Sequence, residues 1–154
     1  MQFSAIERKK GHTMRVIFNE EMKAVALNIE RMAELVAKAM NDAGSALVNA
    51  DLEAAQTVID NDAKLDALEA NVIDQCLILL ARQNPVATDL REVVATMRLA
   101  ATFERMGDLT SHVAQIARRT WPDCAIPNQA KETVEKMVDF LHVLAGQLTD
   151  MLSN

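Results

Sequence analysis

The sequence has no tyrosine, a single tryptophan and four phenylalanines. Its apolar half is therefore built from Ala, Val, Leu, Ile and Met, and 154 residues with 50% apolar content suffice for one domain with a core. Only four glycines and three prolines are available for turns, which favours a small number of long helices. Cys76 and Cys124 lack metal-ligand spacing, and two cysteines make a poor disulfide scaffold; a reducing cytoplasm is the expected location. No apolar run approaches the roughly 18–20 residues that span a bilayer, and Met1 to Thr13 contains no apolar secretory segment. The net charge of −6 is distributed as +2 over 1–13, −1 over 14–50, −5 over 51–82 and −2 over 83–154. A DNA-binding face asks for a basic stripe, and this acidic balance argues against a nucleic-acid partner.

What is present is helical periodicity. Residues 1–13 look unlike the rest and read as a leader or tag-like segment outside the fold. Phe18, Met22, Val25, Ile29, Met32, Val36, Ala39 and Ala43 alternate by four and three, which predicts a first helix from about Arg15 to Val48 with one apolar seam. Asn49-Ala50-Asp51 is a turn, with Asp51 capping a second helix from Leu52 to Arg82. Asn84-Pro85 breaks that helix, and Pro85 at the first helical position opens a third that runs to about Thr120. Residues 121–127, with two prolines, form a linker, and 128–154 hold a fourth helix.

An internal repeat is visible. Ile29 to Val36 matches Val134 to Leu141, each pair identical or conservative. The fold class expected is therefore all-α: a long three-helix bundle over 14–120, plus a fourth helix that begins a second, incomplete repeat. The seam Val134, Met137, Leu141, Leu144, Leu148 and Met151 then has no partner in its own repeat. It is expected to dock on another copy or fold back on the first bundle.

The second helix carries the most informative chemistry. At about 100° per residue, Asp62, Asp66 and Glu69 share an arc of about 60°, flanked by Val58, Ile59, Leu65, Val72, Ile73, Cys76 and Leu80. Carboxylates inside an apolar stripe are costly unless a positive charge meets them. On the third helix, Leu90, Val94, Met97 and Ala101 line up, and Glu104, Asp108 and His112 continue the line. Asp62/Asp66 and Glu104/Asp108 are both spaced i, i+4, so each pair can share a cation, and two pairs on neighbouring helices can hold a multinuclear site. The alternative is ion pairing at the bundle edge with Arg91, Arg98 or Arg105. Those arginines, seven residues apart on one face, are either a solvated face or the mark of an acidic partner. His112 and Asp139-x-x-His142 are weaker ligand candidates.

These residues carry a family resemblance. Pro85-Val86-Ala87, Asp89-Leu90-Arg91 and Glu104-Arg105-Met106-Gly107-Asp108 resemble the third helix of a PhoU repeat. Asp62, Asp66, Leu68 and Glu69 resemble its second helix, and the opening from Met14 resembles the family's start. The resemblance covers Met14 to Asn154 and stops after the first helix of the second repeat. Met106 stands where the family has Ile, and His112 where it has Asn. The resemblance implies two similar three-helix bundles, with acid-x-x-x-Asp motifs binding iron clusters or another divalent metal. Carried over, the metal residues are Asp62, Asp66, Glu104 and Asp108. It also implies a non-enzymatic, negative regulator of the phosphate-starvation response, cytoplasmic and peripheral to the membrane, often dimeric. Such a protein links a phosphate ABC transporter to a sensor histidine kinase. Two other classes compete: a carboxylate-bridged metalloenzyme, which usually needs Glu-x-x-His pairs that do not occur here, and a metal-free structural bundle.

Overall fold

A computed structural model describes residues 3–152, with side chains from Arg15 onward. Four helices follow one another: α1 (Phe3–Asn49), α2 (Leu52–Gln83), α3 (Ala87–Thr120) and α4 (Lys131–Leu152). The architecture is all-α. Helix α1 begins at Phe3, not near Arg15, so the backbone of the leader-like segment is helical from Phe3, while Met1 and Gln2 lie outside the described residues.

The α1 seam packs much as its spacing predicts: Phe18, Met22, Val25, Ile29, Met32 and Val36 are all buried, and Ala39 only partly. They meet Leu65, Val72, Cys76 and Leu79 of α2 and Val93, Ala100 and Phe103 of α3 in one cluster. Each large aliphatic side chain so buried contributes about 1.5–3 kcal/mol. Toward the α1–α2 turn the core changes character. Ala43, Ala46, Ala55, Ala114 and Ala117 gather around Val58, and side chains this small let the helices approach closely.

The turns follow local chemistry. Ala50 adopts a left-handed conformation (φ 53°) between α1 and α2, and the Asp51 side chain accepts a hydrogen bond from the Ala54 N–H at 3.0 Å. Asn84, also left-handed, caps α2 by donating its N–H to the Leu80 carbonyl at 3.3 Å. Pro85 does not start α3: the helix begins at Ala87, with Val86 as its extended N-cap. The linker folds back over the end of α1, where the Cys124 thiol faces the Leu47 and Val48 carbonyls at 3.6 and 3.7 Å.

Two seams differ from the sequence expectation. On α3, Leu90, Val94 and Ala101 are exposed; the buried line runs one residue to the side, through Val93, Ala100, Phe103, Gly107, Ser111 and Ala114. Both α1 and α2 press on α3, and the face that serves both is displaced from the aliphatic line. On α4, Val138 and Ala145 face α1, with Leu148 and Leu152 packed against the core. Gly44 lets them in: a Cβ there would lie 2.9 Å from Val138 Cγ1. Helix α4 does fold back, touching α1 alone, but most of its expected seam stays outside. Met137 is 61% exposed, whereas Met32, its equivalent in the repeat, is 0% exposed. Two helices cover Met32, and none covers Met137.

Candidate metal centre

The acidic residues converge where α2 and α3 run side by side. Asp62, Asp66 and Asp108 each offer a carboxylate oxygen, and these oxygens all lie within 4.8 Å of one another. The expectation that acids from adjacent helices face each other is met for three of the four residues. Glu104 lies outside that trio, yet it shares a side-chain hydrogen bond with Asp108 and feels the Asp66 and Glu69 charges. Glu69, which lay on the same arc of α2, thus joins the acidic neighbourhood.

The setting is wetter than the pattern implied. Asp62, Glu69 and Glu104 are half-buried, and Asp66 and Asp108 are exposed. The reason is angular. Val58, Leu65, Val72 and Leu79 hold the centre of the α2 interface, Asp62 and Glu69 sit at its edge, and Asp66 lies about 40° farther round than Asp62. The cluster therefore straddles the rim of the α2–α3 seam.

The rim still leaves its mark on protonation. Partial desolvation first, and then the Asp62 and Asp108 charges, raise the Asp66 carboxyl above its ordinary value. Desolvation again leads at Glu104, followed by Asp108, Asp66 and Glu69 and by the hydrogen bond with Asp108; all push it up. Among the described residues no basic side chain forms an ion pair with these acids. Among the described residues the ion pairs are Lys38–Asp42, Lys131–Glu135 and Lys136–Glu132. Arg91, Arg98 and Arg105 pair with none of the carboxylates, so the expected alternative of an arginine-bridged edge is not what holds them together.

Helix approach sets the geometry. Gly107 precedes Asp108 and is buried against α2, where an added Cβ would lie 2.2 Å from Leu65 Cδ2 and 3.7 Å from Asp62 Oδ1. A cavity of about 30 Å³, lined by Lys38, Asp42, Asn61, Asp62 and Gly107 among others, adjoins the cluster. His112 lies exposed on α3, and Asp139 and His142 are exposed on α4, all outside the trio. An all-oxygen donor set on two rigid helices suits a hard cation such as iron, manganese or magnesium. At about 4 Å, each pair of like charges costs about 1 kcal/mol even in water, and a bound cation reverses that sign.

Fold and site together define an all-helical bundle protein with a carboxylate cluster on the rim between two helices. The PhoU domain model matches residues 29–117, more than half the chain, and the chain belongs to that family. A relative from Mycobacterium tuberculosis, "Phosphate-specific transport system accessory protein PhoU homolog 1", is 33% identical over 141 residues, covering 92% of this chain and 64% of the relative. The "PhoU homolog" of Rhizobium meliloti is 39% identical over 137 residues, covering 89% of this chain and 57% of its own length. That of Pseudomonas aeruginosa is 37% identical over 106 residues, covering 69% and 44%. The chain thus spans less than two thirds of the length of these relatives. No solved structure matches it. No helix among the described residues is long and apolar enough to cross a membrane.

Proposed function

We propose that the chain is a regulatory accessory of phosphate-specific transport, a negative regulator of phosphate uptake and of the phosphate-starvation response. It acts without catalysis of its own, as a cytoplasmic adaptor between the ATPase of a phosphate ABC transporter and a sensor histidine kinase. The relatives' names support the phosphate role. The Asp62, Asp66 and Asp108 oxygens within 4.8 Å of one another carry the second half of the reading: the α2–α3 rim binds iron, as a multinuclear centre extended by Glu104, or another divalent metal. The uncovered apolar face of α4 docks a second copy, making the working form a homo-oligomer.

Metal analysis tests the site. Protein purified without chelator is expected to carry iron or a divalent metal. Asp66→Ala and Asp108→Ala, each alone, are expected to lower that content while circular dichroism stays helical, since both residues are exposed. Metal content unchanged in both variants defeats the site. The regulatory role is tested by deleting the gene: uptake and starvation reporters should rise in phosphate-replete cells, and a pull-down should recover the transporter ATPase and the kinase. A deletion strain that still represses normally refutes the regulatory role.

A further inference from the structure

The chain's arginines are not spread evenly. On α3, Arg91, Arg98, Arg105, His112 and Arg119 recur every seventh residue, and all five are exposed. Seven residues advance a helix by about 10 Å and return it to within about 20° of the same side, so the row runs about 42 Å along the outward face of α3. Of the four acids of this helix, Asp89, Glu92 and Glu104 lie about 100° or more away from Arg105, and Asp108 borders the row at about 60°. Between the arginines stand the exposed aliphatics Val94 at 41% and Ile116 at 48%, whereas Leu109 turns toward the groove it shares with Met137 and Val138 of α4. Neither α1, α2 nor α4 reaches the row, because α3 packs only on α1 and α2 through its opposite side.

These cations are also uncommitted. Every ion pair among the described residues uses a lysine, and the one hydrogen bond from a described α3 arginine comes from Arg118, off the row, to Gln56. In a chain of net charge −6, a face with four arginines and one histidine, bordered by the single acid Asp108, is a local inversion of sign.

We propose that the outward face of α3 is a docking surface for an acidic amphipathic α-helix of a partner protein. A guanidinium forks onto a carboxylate with two parallel hydrogen bonds. Carboxylates at heptad spacing on a straight helix meet arginines at the same spacing, and the short aliphatics between them fit a second helix's ridges. An anionic membrane suits this face less well. It offers no aromatic to insert at the interface, and the chain's overall charge repels such a surface. The row meets the carboxylate cluster at one edge, where Asp108 stands three residues after Arg105, and makes no ion pair with it.

The test uses the full chain and a synthetic helical peptide of about four heptads with glutamate at every seventh position beside leucines, followed by fluorescence anisotropy. Saturable binding is expected. Arg98→Glu with Arg105→Glu should weaken it at least about tenfold, and a peptide with lysine in place of glutamate should recover binding to that variant. Should charge reversal disturb the helicity, Arg98→Gln with Arg105→Gln removes the charge alone and carries the same expectation of weakening. No peptide binding, equal binding by the variants, or preferential binding to phosphatidylglycerol vesicles or duplex DNA overturns the proposal.

Discussion

Replacing Gly107 by alanine sets two physical effects against each other. In an open helix the change stabilises by about 0.5–1 kcal/mol, because glycine loses more backbone freedom on folding. Here the new Cβ would lie 2.2 Å from Leu65 Cδ2, well inside contact distance, with Leu65 Cγ 3.6 Å behind it. Leu65 is only 4% exposed, and the cavity of about 30 Å³ that it lines beside Gly107 holds little more than one water, too small for its side chain to swing into. Overpacking of this kind costs about 1–3 kcal/mol, so the expected net effect is a loss of about 0.5–2 kcal/mol. For a chain of this size that lowers Tm by roughly 1–8 °C. The more telling effect is on the rim. Relief of the clash moves α3 away from α2, and Asp108 travels with it, away from Asp62 and Asp66. Bound metal should fall although no acid has been changed. Leu65→Val in the same chain removes the clashing δ-carbons and should restore much of the metal. Thermal melts and metal analysis of both variants are the assay. A Gly107→Ala protein that melts higher and holds full metal refutes the claim that close helix approach builds the cluster.

The pH dependence has a defined sign. Asp66 and Glu104 are raised in the folded chain, so the stability they contribute is fully present below their ordinary values of 3.8 and 4.5 and is lost as pH rises through the raised ones. Chelated protein should therefore gain stability through these groups as pH falls from neutrality into the carboxylate range, while bound metal is released over the same window. An Asp66→Asn, Glu104→Gln chain with an unchanged pH slope of Tm would show that the slope arises elsewhere. Asp51→Ala removes the acceptor for the Ala54 N–H and should cost about 1 kcal/mol, read as a drop in Tm of roughly 2–4 °C. Met137→Lys, on the uncovered side of α4, should leave the monomer's melting unchanged and abolish self-association in sedimentation. Val138→Lys, at 8% exposure against Gly44, should instead release α4 from α1 and speed its amide exchange.

The helices, their order and the Asp51 cap were legible in the sequence because each rests on neighbours a few residues apart. The α1 seam was legible too, since α1 is flanked by all three other helices and its strongest apolar line is its core. The acid spacing correctly brought Asp62, Asp66 and Asp108 into one place. Periodicity failed where it had to choose among faces. It put Val94 in the seam of α3, and Val94 is exposed. It put the carboxylates mid-stripe, and they lie on the rim. The close approach at Gly107 had no signal at all, because a glycine in a helix reads only as a weak point until the leucine opposite it is known.

Local physics in the chain by itself thus determined four long helices, their stops, and which side chains share a side of each helix, for these follow from backbone geometry and short-range hydrogen bonds. Only the tertiary structure decided which of those sides are covered, how close α2 and α3 come, and that three carboxylates meet while the arginines of α3 stay unpaired. Those are distances between residues far apart in the chain, set by the packing of one helix on another, and no spacing along a single helix encodes them.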